Sequence, residues 1–352
     1  MSLISFMTAV GVSGFLLFFL TPIARNIGLV DRPDHRKQHA SQVPLTGGIA
    51  IVIALIFSLL VLEETSLIGG LNNYRILFLC IFIIVITGIL DDHKDISARV
   101  KILVQFVVGS VLVLMGDTTI YNLGGIFFDS GNAVWLGPLA IPFSVIAIVG
   151  VINAFNMIDG HDGLACSNGI ISLSAIAVLC YIRTEMSYLY FILLLILILF
   201  VFLLFNLSFI VGQARQVFMG DAGSMFLGLV IVFLLIQLSQ SVLVVIKPIS
   251  APWIIGLPLL DMMSVFIIRL KNRQSPLSAD RRHIHHLLLN LGFGKYPTLV
   301  LLVGLQLTFA SIGVLSTIKN WSEGLLFWSM FLLLVFYILI NHFILTGSRN
   351  RQ

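Results

Sequence analysis

Charge is what this 352-residue chain has least of: Asp, Glu, Lys and Arg make up 10% of it, against 59% hydrophobic residues. Soluble proteins average about one quarter charged, so the shortage excludes an ordinary soluble globule. No polar block is long enough to fold as a soluble domain, and the expectation is one membrane-embedded domain over residues 1–352. Cysteine is nearly missing too. Cys80, Cys166 and Cys180 lie in apolar runs without metal-ligand spacing, and an odd number cannot pair completely, so they read as buried filler. The first apolar run, 3–24, has no basic residue ahead of it and no small-x-small cleavage site, which makes it an expected uncleaved span. Internal repeats are absent beyond the alternation of helix and loop, which argues against a transporter built on inverted repeats. A net charge of +4, scattered over short loops, excludes a nucleic-acid binder.

What the chain has is long apolar runs. Those able to cross about 30 Å of hydrocarbon as helix predict an all-α polytopic membrane protein of about eleven spans. They fall at 3–24, 46–62, 75–90, 100–116, 138–154, 164–182, 188–207, 222–242, 249–270, 297–316 and 324–345. With the N-terminus outside and the C-terminus cytoplasmic, only Arg75, Arg183, Lys247 and Lys319 of the 20 Lys and Arg fall in outer loops, as the positive-inside rule requires. The same inner loops gather His35, His39, His93, His161, His283, His285 and His286 with most of the chain's aspartates. Solvated loops account for charge, but not for this gathering of titratable groups, which points to a cytoplasmic-face active site. Asp261, inside the ninth span, reads either as an ion partner of Arg269 or as a site residue.

Five inner stretches carry the polar chemistry. In I-L-D-D-H-K-D, Asp91 and Asp92 put two like charges together, which a cation or a proton between them would relieve; a solvated turn is the alternative. Arg99 and Lys101 follow at the start of the next helix, where snorkelling side chains reach a phosphate at headgroup level. In N-A-F-N-M-I-D-G-H-D-G-L, Asn153, Asn156, Asp159 and Asp162 recur every three residues and so cannot share one helical face. Gly160 and Gly163 predict that the helix ends after Asn156 and that a tight turn curls the carboxylates back toward the amides. Such oxygen clusters suit Mg²⁺ or Mn²⁺, or a ligand rich in hydroxyls and phosphates.

V-F-M-G-D-A-G-S places Asp221 and Ser224 at a helix start, where capping alone would explain them, but it is a third Asp-Gly element on the same face. In S-A-D-R-R-H-I-H-H-L-L-L-N-L, Ile284, Leu287, Leu288 and Leu291 form a stripe for an interfacial helix capped by Ser278 or Asp280, with Arg281 and His285 facing water. With no cysteine nearby, His283, His285 and His286 read as substrate contacts in preference to zinc ligands. The first inner loop, Gly28 to Gly48, is shaped by two prolines and a Gly-Gly, and adds Lys37 and His39 as cationic groups.

Taken in order, D-R-P-D-H-R-K-Q-H, L-D-D, N-A-F-N-M-I-D-G-H-D-G-L, F-M-G-D-A-G-S and H-I-H-H resemble the polyprenyl-phosphate N-acetylhexosamine-1-phosphate transferases. The likeness is strongest to the bacterial branch that moves N-acetylglucosamine-1-phosphate from UDP-N-acetylglucosamine to undecaprenyl phosphate and so begins O-antigen or related envelope glycans. Ile284 interrupts the histidine triplet typical of the muramoyl-pentapeptide branch. The resemblance implies a helical bundle in the bacterial cytoplasmic membrane with a cytoplasmic cleft, a requirement for Mg²⁺ or Mn²⁺, and UMP as second product. It implies that Asp221 ligates the metal, that Asp91 and Asp92 form the adjacent acidic pair of which one acts on the lipid phosphate, and that Asn156, Asp159 and Asp162 form the nucleotide and catalytic loop. His283, His285, His286 and Arg269 match the last loop, which would hold the sugar diphosphate. Which UDP-sugar is used, and whether copies pair as a homodimer through membrane faces, stay open. A CDP-alcohol type transferase would need a D-G-x-x-A-R pattern, which D-G-L-A-C-S after Asp162 does not complete.

Overall fold

The computed structural model describes residues 3–31, 42–61, 65–127, 133–275 and 282–349, without the side chains of 65–73 and 342–349. It is all-helical apart from one two-residue ladder. Helices α1 (Leu3–Ile27), α2 (Gly47–Leu60), α3 (Thr65–Lys94), α4 (Ala98–Met115), α5 (Ala140–Ile158), α6 (Leu164–Ile182) and α7 (Met186–Asn206) are followed by the single turn α8 (Ser208–Val211). Then come α9 (Gly220–Gln240), α10 (Ala251–Ile254), α11 (Gly256–Lys271), α12 (Ile284–Asn290), α13 (Lys295–Ile318) and α14 (Glu323–Arg349). Among the described residues, 9 helices are long and apolar enough to cross a membrane, or 10 if one bent pair counts as a span. The chain is a polytopic membrane protein.

Two of the expected spans depart from the simple reading. The run at 46–62 is the 14-residue α2, about 21 Å long at 1.5 Å per residue and shorter than the hydrocarbon core. The run at 249–270 is broken at Ile255 into α10 and α11, bent by 85°. A break strands backbone groups where no water can reach them, and such backbone is tolerated only where protein satisfies it. Here Gln306 of α13, fully buried, does so: its Oε1 accepts from Leu257 N at 3.0 Å, and its Nε2 donates to Ile254 O at 2.7 Å. Ser172 Oγ of α6 donates to the same carbonyl at 2.9 Å.

Helix α9 is the axis of the bundle. Its spanning window is 94% buried, against 22% for α1 and 17% for α14, and a helix apolar all round belongs in such a core. It packs on α2, α3, α5 and α6. Glycine makes the approach at its N-terminal end possible: a Cβ on Gly88 of α3 would lie 2.3 Å from Ala222 Cα, and one on Gly48 of α2 would lie 2.3 Å from Gly223 N. The segment before α9 is stitched to the stretch between α1 and α2. Strand β1 (Val30–Asp31) pairs antiparallel with β2 (Val43–Pro44), Phe218 N donates to Pro44 O, and Gly47 N and Gly48 N donate to Phe218 O and Met219 O.

Because Gly88 faces backbone that cannot rotate away, Gly88→Ala is expected to destabilise the bundle by at least the 1–3 kcal/mol or so typical of overpacking. The thermal midpoint in detergent, followed by size-exclusion chromatography, measures this; an unchanged midpoint would contradict the close packing of α3 on α9.

Candidate active site

Three helix ends meet at the start of α9. The last turn of α3 brings Asp91 and Asp92, the first turn of α4 brings Lys101, and the first turn of α9 brings Asp221. The two neighbouring carboxylates are relieved in different ways. Lys101 Nζ donates to Asp91 Oδ2 at 2.6 Å and to Asp221 Oδ2 at 2.8 Å, so one ammonium bridges two helices. Asp92 turns to the helix terminus, accepting from Asp221 N at 2.8 Å and Ala222 N at 3.3 Å. Those N–H groups have no partner within their own helix, and a carboxylate there also meets the positive end of the helix dipole. Gly220 lets Asp92 in: its φ is +70°, and a Cβ would stand 2.5 Å from Asp92 Oδ2. Asp91 Oδ1 is buried without a hydrogen-bond partner.

Helix α5 runs to Ile158 with Asp159 as its C-cap, two residues further than expected, so Asn153 and Asn156 are both helical. Asn153 serves packing: its amide donates to Gln105 Oε1 of α4 and to Val149 O, while Gln105 reaches Met225 Sδ of α9 at 3.4 Å. Asn156, one turn on, donates to Ser224 Oγ at 3.0 Å and lies beside Asp221. The turn then separates the two carboxylates that spacing left equivalent. Burial, then the nearby charges of Asp221 and Asp92, push the Asp159 carboxyl well above the usual range. Asp162 lines a pocket with His161, Ser208, Phe209, Lys295 and Tyr296.

Asn206, at the last residue of α7, is a residue the motif reading missed. Its Oδ1 accepts from Gly163 N at 2.6 Å, its Nδ2 donates to Val217 O at 2.8 Å, and its backbone carbonyl accepts from Gln216 Nε2 at 3.0 Å. It therefore ties the Asp159–Gly163 turn to the segment ahead of Asp221. An amide closing an apolar run, as Asn153 does, was the available signal.

The histidines correct an expectation. His285 does not face water but is 1% exposed, and His283 is 5% exposed. The helix begins only at Ile284, with His283 as N-cap; the proposed caps Ser278 and Asp280, like Arg281, lie outside the described residues. Leu291 follows the helix and is exposed, which leaves a stripe of Ile284, Leu287 and Leu288. The rings of His283 and His285 are nearly parallel, 9° apart with centroids at 5.9 Å, and His286 lies 4.2 Å from His285. Gly160 receives this row, since a Cβ there would come within 2.5 Å of His285 Nε2. Both ring nitrogens of His285 are buried without a partner, and burial, then the neighbouring His286, holds its pKa well below the ordinary histidine value. The ring stands at the edge of the Asp159–Gly163 turn.

Arg269 is buried near the end of α11, whereas Arg99 is exposed and takes no part in these contacts. Lys37 and His39 lie outside the described residues. The donors facing one another, the carboxylates of Asp91, Asp92 and Asp221 with the Asn156 amide nearby, are the hard oxygens that Mg²⁺ and Mn²⁺ prefer. Among the described residues no three His, Cys, Asp or Glu form a ready metal cage. Mg²⁺ rarely needs one, being held typically by one or two carboxylates together with substrate phosphates. Asp221, linked through Lys101 to Asp91 and lying beside Asn156, fits that kind of site.

Residues 74–239, from α3 through α9 and including Asp91, Asp92, Asn156, Asp159, Asp162 and Asp221, match the family model of glycosyl transferase family 4. The undecaprenyl-phosphate alpha-N-acetylglucosaminyl 1-phosphate transferase of Escherichia coli (strain K12) is 35% identical over 325 residues, covering 91% of this chain and 85% of that protein. The protein of the same name from Yersinia pestis is 35% identical over 324 residues, 90% and 86% of the two chains. That from Haemophilus influenzae is 33% identical over 336 residues, 92% and 89%. The chain belongs to glycosyl transferase family 4. Within it, the chain is a multi-pass membrane phosphoglycosyl transferase.

Replacing Asp92 by Ala strips two α9 amides of their acceptor. It is expected to cost about 1–2 kcal/mol of stability, as loss of a helix N-cap does, and to lower the thermal midpoint in detergent. Asp221→Asn, which leaves that cap intact, should shift the midpoint less; equal shifts would contradict the capping role.

Proposed function

We propose that the protein transfers N-acetylglucosamine-1-phosphate from UDP-N-acetylglucosamine to undecaprenyl phosphate, giving undecaprenyl-diphospho-N-acetylglucosamine and UMP. This is the first membrane step of O-antigen or related envelope polysaccharide synthesis. The observation that carries the reading is the meeting of Asp91, Asp92, Lys101 and Asp221 at one end of the bundle, with the Asp159–Gly163 turn and the histidine row joined through Gly160. The names and coverage of the relatives support the substrates. The excess of Lys and Arg in the inner loops supports a site on the cytoplasmic face of a bacterial cytoplasmic membrane, with the N-terminus outside.

Phosphoryl-type transfer depends on positioning and charge neutralisation more than on covalent help from the protein. In a single displacement an oxygen of the lipid phosphate attacks the phosphorus that carries the sugar, and the bond from that phosphorus to the UMP oxygen breaks. The acceptor's second pKa is near 6, so it arrives largely ionised and needs orientation more than a strong base. Asp92 is engaged by the α9 amides, whereas Asp91 keeps one oxygen unpartnered, which makes Asp91 the group to orient the acceptor. Lys101 balances charge between Asp91 and Asp221. Asp221 would hold Mg²⁺ or Mn²⁺, which when bound neutralises the diphosphate. Asn156, Asp159 and Asp162 serve the nucleotide and catalytic turn; His283, His285, His286 and Arg269 hold the sugar diphosphate; Lys37, His39, Arg99 and Lys101 attract phosphate.

Detergent-solubilised protein with UDP-N-acetylglucosamine is expected to release UMP only when undecaprenyl phosphate is added, and EDTA should stop it until Mg²⁺ or Mn²⁺ is restored. Among UDP-sugars, N-acetylglucosamine should outpace N-acetylgalactosamine; the reverse order would reassign the sugar. Asp221→Asn should lower kcat by about 100-fold or more, the scale of lost metal-assisted charge stabilisation, and unchanged turnover would reject its metal role. A phosphorylated enzyme trapped with UDP-sugar alone would replace the single displacement by a two-step route.

A further inference from the structure

Asp261 is a carboxylate 1% exposed within α11, the longer arm of the broken span, and a charge so placed is costly unless it is paired and used. It accepts three hydrogen bonds. Its Oδ2 takes one from His283 Nδ1 at 2.7 Å, and its Oδ1 takes one from Ile284 N at 2.9 Å and one from the Tyr337 hydroxyl at 2.7 Å. These donors come from the start of α12 and from α14, so one side chain of α11 ties together three elements. A carboxylate can only accept, so Nδ1 of His283 carries the hydrogen. Nε2 is then the nitrogen left to meet a ligand, the arrangement by which a second group sets a histidine's working tautomer.

Beyond His283 the row continues through the parallel ring of His285 to Gly160, at the catalytic turn. We propose that Asp261 is a positioning residue for this row: with Tyr337 as its second anchor it fixes the start of α12 and the His283 tautomer, and through them the groups that meet the sugar diphosphate. The inference rests on the reading of the histidine row as a substrate contact. It extends the working site to α14, outside the stretch the family model matches.

A second polar link between α11 and α14 provides the control. Asn341 Nδ2 donates to Ser264 Oγ at 2.8 Å, four residues along α14 from Tyr337 and three along α11 from Asp261. It holds the same two helices together without touching a histidine. UMP release should be measured for Asp261→Asn, His283→Ala, the double variant and Ser264→Ala, separating kcat from KM for the UDP-sugar.

Asp261→Asn is expected to lower kcat/KM by about 10- to 100-fold, as loss of a histidine's supporting partner does. In the His283→Ala background it should change turnover by less than about threefold, since residues acting as one unit are not additive. Ser264→Ala should stay within about twofold of the parent, as expected for a helix–helix contact away from the chemistry. Full additivity of Asp261→Asn with His283→Ala would overturn the proposal, as would a loss in Ser264→Ala equal to that in Asp261→Asn. Wild-type turnover in His283→Ala would overturn the substrate-contact reading and the proposal with it. If Asp261→Asn does not survive extraction, Tyr337→Phe, which removes one donor and no charge, takes its place in the cycle. It is expected to lower kcat/KM by about two- to fivefold in the parent and not at all beside His283→Ala; equal losses in both backgrounds would refute the idea.

Discussion

Everything at the candidate site depends on how the N-terminus of α9 is satisfied. An apolar helix buried on all sides must still end, and its first N–H groups end among other helices, not in water. Asp92 takes two of them, Gly220 and Gly88 let α3 come close enough to allow it, and Asp221 is thereby held in place. With Asp92 committed to the helix end, the charge beside it falls to Asp91 and Asp221, and Lys101 lies between them. Charge that closes a helix and charge proposed to meet phosphate thus occupy one cluster, so the site cannot be loosened without loosening the bundle.

The same demand for backbone partners recurs at the other half of the site. The break between α10 and α11 frees Ile254 O and Leu257 N, which Gln306 and Ser172 take up. Helix α11, set off at 85° from α10, then carries Asp261 to His283 and the start of α12. Asn206 plays the corresponding part for the Asp159–Gly163 turn. Each of these three polar groups bonds to backbone, and each decides where a proposed contact residue stands. Buried polar groups with every partner in place rigidify what they hold.

Reading the chain residue by residue located most of the polar chemistry, because a carboxylate or amide at the end of an apolar run stands out against the cost of placing it there. Asp91, Asp92, Asn156, Asp159 and Asp221 stood out in this way, and the structure brings them toward one helix end. Asn153 stood out by the same rule and proves to be a packing amide. Asn206 and Gln306 were passed over because a single polar residue carries no motif. His285 was misplaced for a related reason: the stripe of leucines around it fits an interfacial helix, and only Gly160 packed against the ring shows that the histidine is the buried partner.

Local periodicity and the cost of charge in hydrocarbon act along the chain, and they suffice to determine the helical class, most of the spanning segments and the residue types gathered between them. Which of two adjacent carboxylates caps a helix and which binds a lysine depends on an amide 129 residues away, and whether Asp261 serves an arginine or a histidine depends on where α12 and α14 come to rest. Those choices were made only by the tertiary structure. A hydrogen bond depends on distances of a few tenths of an ångström between elements whose spacing no local pattern records.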